Sequence, residues 1–122
     1  MSIAFHHAAL IVSDLDKAAL IYEHILGLTR DKRPDLGFEG VFYCLGHGQQ
    51  LHLMKLANPD DASVKPEHGG RYRHFALSTS NLDGIKAKLE QNNIAYTQSQ
   101  SGRAAIFFYD FDGNAIELIQ AE

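Results

Sequence analysis

The sequence predicts an α+β fold built from two tandem βαβββ modules, and an internal repeat carries most of this prediction. Residues 7–16 read HAALIVSDLD and residues 74–83 read HFALSTSNLD, so six of ten positions are identical at a constant offset of 67. Self-similarity at a fixed offset indicates that the half-chain is the structural unit. In both copies an apolar-rich run leads into Ser-x-x-Asp, a pattern typical of the start of a helix that a Ser hydroxyl caps. We therefore expect each copy to be a strand that opens with His and leads into a helix.

Length and composition predict one globular, soluble domain. The chain has 122 residues, of which 45% are hydrophobic and 21% are charged, and these are ordinary values for such a domain. A net charge of −4 without a basic cluster argues against a nucleic-acid partner. Cys44 is the single cysteine, so we expect no disulfide framework and a cytoplasmic location. The first residues lack the basic region of a signal peptide, and their apolar run, residues 8–12, is too short to span a membrane.

Hydrophobic patterning assigns the elements of the first module. A buried strand is predicted over residues 4–12, followed by a helix that begins at Ser13 and ends at Gly27. Apolar residues recur along this helix at the i, i+3, i+4, i+7 spacing of an amphipathic helix. Leu20 and Ile21 fall outside that apolar face, which indicates additional surface that a partner must cover. Three shorter strands are predicted at 28–32, 41–45 and 49–56.

The second module repeats the order of the first. Module one covers about residues 1–56, and module two covers about residues 72–122. Two of the three prolines lie in the intervening residues 57–71, which we interpret as a connector within one domain. Asp112-Gly113 is a hairpin signal between the last two strands. The predicted elements of module two are a strand at 72–79, a helix at 81–92, and strands at 94–98, 103–109 and 114–120.

The last strands of the two modules also correspond, and they contain charged or polar residues at matched positions. Leu51-His52-Leu53 aligns with Ile116-Glu117-Leu118 at an offset of 65. Strand side chains alternate between two faces, so His52 and Glu117 should each face away from their apolar neighbours. A carboxylate in such surroundings is costly unless it is paired or bound to a metal. Four side chains at repeat-equivalent positions should converge on the pseudo-twofold axis between the modules: His7, His52, His74 and Glu117.

These four side chains predict a divalent-metal site. Imidazole nitrogens with one carboxylate suit first-row divalent ions, so we expect one Ni, Zn, Fe, Mn or Co ion per site. A single His in a strand is more often a hydrogen-bonded core residue than a ligand, but the matched positions favour ligation for the whole set. Glu117 is the only carboxylate among the four and is therefore the candidate catalytic base. The other histidines have no support from the repeat: His6, His24, His47 and His68.

Six further residues are candidates for contacts with a small-molecule substrate. Arg71, Arg73 and Arg103 are candidate contacts for a substrate anion, although each can equally be a solvated surface charge. The aromatic residues that could form the wall of a cavity, or could instead belong to the core, are Tyr43, Phe107 and Tyr109.

The order of these motifs resembles the vicinal oxygen chelate superfamily. That superfamily includes glyoxalase I, methylmalonyl-CoA epimerase, fosfomycin-resistance proteins, bleomycin-binding proteins and extradiol dioxygenases. The resemblance covers nearly the whole chain and implies paired βαβββ modules that form a half-barrel sheet around a metal site, with His7, His52, His74 and Glu117 in the ligand positions. The matching pieces are His7-x-x-Leu10, Leu26-Gly27-Leu28, His74-x-Ala76-Leu77 and Asp112-Gly113-Asn114-x-Ile116-Glu117-Leu118.

The resemblance implies a metal-dependent lyase or isomerase of the glyoxalase type that acts on a small substrate chelated through vicinal oxygens. Ile11 and Leu56 stand where glutathione-using relatives have Arg and Asn, which counts against a glutathione thiohemiacetal. Without His52, the remaining ligands resemble the two-His-one-carboxylate set of iron-dependent extradiol ring-cleavage dioxygenases, which are the first alternative. The second alternative is a metal-free small-molecule binding protein of the bleomycin-resistance kind.

We also expect a homodimer. A curved sheet leaves edges that must be covered or paired, and closed twofold symmetry is the commonest solution. The surplus apolar surface predicted at Leu20 and Ile21 points the same way, as does the resemblance. Whether the four ligands come from one chain or from two chains is left open by the sequence.

Overall fold

The computed structural model describes residues 2–60 and 64–122, and it divides into two units, Met1–Pro59 and Asp60–Glu122. Each unit contains one four-stranded mixed sheet and follows the order βαβββ. The predicted α+β fold of two tandem βαβββ modules is therefore confirmed. Residues 61–63 of the predicted connector lie outside the described residues.

In the first unit, a parallel strand pair lies at one edge of the sheet. The strand order is β1-β4-β3-β2, in which β1 runs parallel to β4 and the other pairs are antiparallel. A helix, α1, continues directly into a wider π-helical segment before β2. The elements are β1 (His7–Val12), α1 (Leu15–Ala19), the π-helical segment (Leu20–Ile25), β2 (Thr29–Asp31), β3 (Gly40–Cys44) and β4 (Gln50–Lys55).

The second unit repeats this topology. Its strand order is β5-β8-β7-β6, again with the first and last strands of the unit parallel. A 3-10 turn, Gly69–Arg71, precedes β5. The elements are β5 (His74–Thr79), α2 (Leu82–Gln91), β6 (Tyr96–Gln98), β7 (Ala105–Tyr109) and β8 (Ala115–Gln120).

The registers of the two sheets are equivalent, which confirms the repeat at the level of single residues. On one side of β4 and of β8, Ala9 lies opposite His52 and Ala76 lies opposite Glu117. On the other side, Phe42 lies opposite His52, and its counterpart Phe107 lies opposite Glu117. The last strand of each unit therefore has a strand that begins with His on one side and a Phe on the other.

The cap of each helix lies one residue after the predicted serine cap. Asp14 Oδ1 accepts a hydrogen bond from the backbone N–H of Lys17 at 3.0 Å, and Asn81 Oδ1 accepts one from Gly84 at 3.1 Å. The expectation that Ser13 caps the first helix was wrong. Asp and Asn cap as effectively as Ser, and here they directly precede the first helical residue, where a cap must lie.

The first helix also buries a residue that was expected to lie outside its apolar face. Ala18, Ile21, Tyr22 and Ile25 are buried, and Ile21 has no exposed surface. These positions complete an i, i+3, i+4, i+7 series of their own, so the face that packs on the sheet is rotated from the predicted one. The expectation for Ile21 was wrong, and it no longer supports a dimer interface. Beyond the buried face, the backbone N–H of Leu26 bonds to the carbonyl of Ile21 at 2.9 Å, the i→i−5 pattern of a π-helix.

Among residues 2–60 and 64–122, no helix has the length and apolar character needed to cross a membrane.

Tyr43 links the sheet of the first unit to its helix. Tyr43 is fully buried, and its hydroxyl donates to Glu23 Oε2 at 2.7 Å. Arg30 donates to the same oxygen at 2.8 Å. Burial raises the pKa of the Glu23 carboxyl, but the hydrogen bonds from Tyr43 and Arg30 outweigh burial and hold that pKa below its usual 4.5. The pKa of Tyr43 is raised, first by burial and then by its bond to Glu23. The network therefore stabilises the ionised form of Glu23 in the folded chain.

We expect Tyr43→Phe to lower the free energy of unfolding by about 1–2 kcal/mol at neutral pH, because it removes a hydrogen bond to a charged group. The folded-state pKa of Glu23 lies below its unfolded value. Its stabilisation is therefore present above the unfolded pKa and is lost as the pH falls through the folded pKa. The difference between the two proteins should accordingly shrink below about pH 4.

Urea unfolding at pH 7 and pH 3 measures this difference. Tyr96→Phe is the matched control, because Tyr96 donates to Glu90 at 2.6 Å in an exposed pair. That variant should change stability by less than about 0.5 kcal/mol. An equal loss for Tyr43→Phe at both pH values would contradict the role assigned to Glu23.

Candidate metal site and cavity

His7 and His52 lie side by side on one face of the first sheet. Leu51 and Leu53, the neighbours of His52 in β4, are buried on the opposite face. The His7 and His52 rings are stacked with centroids 4.1 Å apart, and the Phe42 ring stacks on His52 at 3.5 Å. His52 is thus held between two rings. Burial, and to a lesser degree the neighbouring His7, lower the pKa of His52.

One nitrogen atom of each ring in this first pair already has a partner within the unit. His52 Nε2 lies 2.9 Å from Gln50 Oε1, and the Gln50 amide in turn donates to Asp31 at 2.8 Å. His7 Nδ1 lies 2.8 Å from His6 Nδ1. The pair is therefore ordered by neighbouring side chains, and any ligand for His52 Nε2 has to replace the Gln50 contact.

His74 and Glu117 form the equivalent pair of the second sheet. Glu117 is only 3% exposed. One of its oxygens lies 3.3 Å from His74 Nε2, and the other lies 3.4 Å from the Arg103 guanidinium. A buried carboxylate requires such partners, since an isolated charge in this position would be strongly destabilising. The sequence-based argument that Glu117 must be paired or metal-bound is therefore consistent with its surroundings.

The backbone determines which nitrogen of His74 carries a hydrogen. His74 Nδ1 lies 2.8 Å from the carbonyl oxygen of Tyr72. A carbonyl can only accept, so Nδ1 donates and the neutral ring has an unprotonated Nε2. Histidine ligands of metal ions are commonly held in this way, with the non-coordinating N–H bonded to a backbone carbonyl.

The residues of this pair fit a divalent metal. An unprotonated Nε2 and a carboxylate oxygen repel at 3.3 Å unless a positive centre, either a proton or a metal ion, lies between them. Two atoms that each lie about 2.1 Å from one ion are separated by about 3.0–3.4 Å at octahedral to tetrahedral angles. In neither unit do three or more His, Cys, Asp or Glu side chains of the described residues gather into a metal-binding group. Within each unit, the described residues therefore bring together one pair of the predicted ligands.

A cavity of about 290 Å³ opens beside His74 and Glu117, entirely within the second unit. Arg71 and Arg103 give it two guanidinium groups against one carboxylate, so its charge favours an anionic group. Arg71 reaches Gln100 at 3.5 Å, and Arg103 bonds to Ser101 at 3.1 Å as well as to Glu117. The side chains around the cavity include His68, Arg71, His74, Arg103, Phe107 and Glu117.

Three of the candidate substrate contacts lie elsewhere. Arg73 pairs with Asp60 at 2.9 Å on an exposed surface. The Tyr109 hydroxyl donates to the carbonyl of Pro66 at 2.5 Å, which fixes the chain before β5 against β7. Tyr43 lies on the buried face of its sheet, opposite the face that bears His52. For Tyr43 the structure therefore supports the alternative that the sequence left open, a core residue, because strand alternation points it towards the helix.

Two residues near the site were not among the candidates. Phe42 is the repeat counterpart of Phe107 at the same offset of 65 that relates His52 to Glu117, and this offset could have identified it. His68 lines the cavity from the segment before the 3-10 turn. It has no counterpart in the repeat, so no signal in the single sequence pointed to it.

Comparison with known proteins identifies the family of this chain. The model of the Glyoxalase/Bleomycin resistance protein/Dioxygenase superfamily matches residues 4–118. The chain belongs to this superfamily. A relative from Arabidopsis thaliana named Glyoxylase I 4 is 26% identical over 125 residues, which cover 98% of this chain and 71% of the relative.

Solved structures of superfamily members share the fold. A glyoxalase family protein from Bacillus anthracis superposes with a TM-score of 0.76 at 17% identity, covering 100% of this chain and 98% of that one. A variant of the fosfomycin resistance protein FosX from Listeria monocytogenes has a TM-score of 0.69 at 22% identity, covering 98% and 90%. That FosX structure is complexed with Mn(II) and 1S,2S-dihydroxypropylphosphonic acid.

We expect the neutral His74 ring to be the Nδ1–H tautomer, because Tyr72 offers only an acceptor to Nδ1. Side-chain ¹⁵N NMR at a pH where histidines are neutral distinguishes the two tautomers. His24 is exposed and serves as the reference; in water the Nε2–H form predominates. An Nε2–H signal assigned to His74 would show that the carbonyl contact does not set its tautomer.

Proposed function

We propose that this chain is a divalent-metal-dependent enzyme of the glyoxalase type, a lyase or isomerase that acts on a small anionic substrate through two vicinal oxygens. The His74–Glu117 pair carries the proposal. The Tyr72 carbonyl holds the hydrogen of the His74 ring on Nδ1 and leaves a lone pair on Nε2. A buried Glu117 oxygen lies 3.3 Å from this Nε2, and both residues line the cavity. Superfamily relatives that include a glyoxalase and a metal-bound FosX support the same chemistry.

The proposed ligand set is His7, His52, His74 and Glu117. When bound, the metal supplies a Lewis acid that polarises the vicinal oxygens of the substrate. The protein residues have separate tasks. Arg103 holds Glu117 in place and, together with Arg71, attracts an anionic group of the substrate into the cavity. Phe107 covers one side of this cavity and limits its access to water.

An iron-dependent extradiol dioxygenase is a second candidate, and one observation favours it. His52 Nε2 is already bonded to Gln50, and the His52 ring is stacked on both faces. A site that does not use His52 retains His7, His74 and Glu117, which is the two-His-one-carboxylate set of non-haem iron enzymes. Elemental analysis of the purified chain separates the candidates: nickel or zinc favours the isomerase, whereas iron favours the dioxygenase. The absence of any bound metal after exposure to all three would favour a small-molecule binding protein.

We expect His74→Ala to weaken metal binding more than His52→Ala does. His74 is held for ligation by Tyr72, whereas His52 must first give up its bond to Gln50. Calorimetric titration with Zn²⁺ or Ni²⁺ should show a loss of about a hundredfold or more for His74→Ala and a smaller loss for His52→Ala. His24→Ala is the control and should bind as the unaltered chain does. A larger loss at His52 would reverse the assignment.

We further propose that the chain forms a homodimer, and that His7 and His52 of one chain bind the same ion as His74 and Glu117 of the other. Mixing His7→Ala chains with Glu117→Ala chains tests this arrangement. If sites are shared, each heterodimer collects both lesions in one site and leaves the other intact, so about half of its metal capacity returns. If each chain has its own site, every site carries a lesion and nothing returns. A monomeric mass at micromolar concentration would contradict the dimer in either form.

A further inference from the structure

His68 is an imidazole of the cavity that the proposed metal site does not use. Its Nδ1 lies 2.6 Å from the hydroxyl of Thr97 on β6. The Phe107 ring contacts the His68 ring edge to face, with centroids 4.9 Å apart and planes at 75°. These two contacts restrict the position and the plane of the ring. They engage one nitrogen and leave Nε2 on the side of the ring that borders Gly70.

Gly70 keeps Nε2 of His68 uncovered. A Cβ atom at position 70 would lie 2.8 Å from His68 Nε2 and 3.1 Å from Cζ of Phe107. Gly70 and His68 both line the cavity, so a side chain at position 70 would crowd Nε2 on the side of the ring that borders Gly70. Even a methyl group at position 70 would occupy this space or displace His68.

Thr97 is suited to hold His68 in either of its neutral forms. A hydroxyl can both donate and accept a hydrogen bond. If His68 Nδ1–H donates to Thr97, Nε2 is free to accept a proton. If the Thr97 hydroxyl instead donates to Nδ1, Nε2 carries the hydrogen and cannot accept one. Proton uptake therefore uses the Nδ1–H form, and the imidazolium that results keeps the same Nδ1–H bond to Thr97 until Nε2 returns the proton. The same contact therefore supports both the uptake and the return of a proton at Nε2.

Glu117 is less suited to proton transfer than the sequence indicated. One of its oxygens faces His74 and the other faces Arg103, and the side chain is buried. Both Glu117 oxygens are therefore already engaged by neighbouring side chains. The charged and titratable groups that share the cavity with His68 are Arg71, His74, Arg103 and Glu117.

We propose that His68 is the proton-transfer residue of this cavity, with Thr97 as its positioning residue, and this role rests on the proposed isomerase or lyase function. Neutral His68 accepts at Nε2 the proton of a substrate C–H bond next to a carbonyl group. The electron pair of that bond stays on the substrate as an enediolate, which Arg71 and Arg103 stabilise. The imidazolium then returns the proton to the neighbouring carbon. No proton or electron is gained or lost over the cycle, and no further reactant is required.

Chemical modification tests the accessibility of Nε2 without requiring turnover. Diethylpyrocarbonate acylates accessible imidazole nitrogens, and mass spectrometry gives the rate at each His of the full chain. We expect Gly70→Ala to slow the reaction of His68 about tenfold, with the rates of His24 and His47 unchanged. Zn²⁺ together with glycolate, a small molecule with vicinal oxygens, should protect His68 of the unaltered chain to a similar extent. A His68 rate that neither change alters would overturn the proposal.

Proton exchange tests the role itself. The probe is hydroxypyruvate, an anion with vicinal oxygens and C–H bonds next to a carbonyl, in D₂O with the Zn²⁺- or Ni²⁺-loaded protein, and ¹H NMR follows the loss of its C–H signal. We expect His68→Gln to slow exchange at least about a hundredfold and Thr97→Val about tenfold, whereas Thr97→Ser should keep most of the rate. Metal affinity should be unchanged in all three variants. This pattern separates proton transfer from metal binding, because Glu117→Gln should reduce both.

The outcomes distinguish the two levels of the proposal. Exchange by the unaltered protein that survives in His68→Gln overturns the role of His68 and leaves the isomerase function standing. If the unaltered protein binds metal but catalyses no exchange, the isomerase function fails and the role of His68 fails with it. Equal rates for Thr97→Val and Thr97→Ser would remove Thr97 as the positioning residue, even if His68→Gln is slow.

Discussion

The buried carboxylate of Glu117 is the constraint on which the second unit depends. A charge that is 3% exposed on a central strand is tolerated only where its neighbours supply positive charge and hydrogen bonds. Arg103 supplies these from the segment before β7, and His74 Nε2 on the adjacent strand β5 lies 3.3 Å from the other oxygen, where a proton or a metal ion would balance the charge. The register of β5 on β8 and the position of Arg103 are therefore both tied to one side chain. The same three side chains line the cavity of the second unit.

The internal repeat explains why the two units share a topology. The side chains around His52 and around Glu117 are nevertheless arranged differently. In the first unit His52 takes the place of Glu117, and its ring is covered by Phe42 on one side and by His7 on the other. In the second unit the equivalent Phe107 makes T-shaped contacts with His68 and His74 instead. An aromatic ring can stack on an imidazole, whereas a carboxylate offers no comparable face. Glu117 therefore has no stack of rings like that around His52, and the cavity of the second unit lies beside it.

Much of the fold could be predicted from the sequence because it depends on short-range patterns that occur twice. Both copies of the His-led strand and both ligand-bearing strands were placed within a few residues, and the offsets of 67 and 65 reappear as sheet register. The features that were missed depend on finer geometry. The cap is the residue directly before the first one with helical dihedral angles. Whether Ser13 or Asp14 caps the first helix therefore depends on a shift of one residue in the start of the helix. The burial of Ile21 depends on how the helix is rotated about its axis. More than one set of apolar residues in this helix has the i, i+3, i+4, i+7 spacing, so the spacing alone does not determine which set is buried.

The candidate site divides in the same way. His52 and Glu117 could be found because strand alternation places them opposite their apolar neighbours, and Tyr43 could have been assigned to the core by that same rule. His68 could not be found, since a residue in an irregular segment is positioned by long-range contacts such as those with Thr97 and Phe107. This difference follows from the repeat itself. A site residue that lies in the repeat has a counterpart at a fixed offset in the other module, whereas a site residue outside the repeat has no counterpart. The repeat therefore identifies the candidate metal donors, whereas His68 is identified only by the contacts that the folded chain gives it.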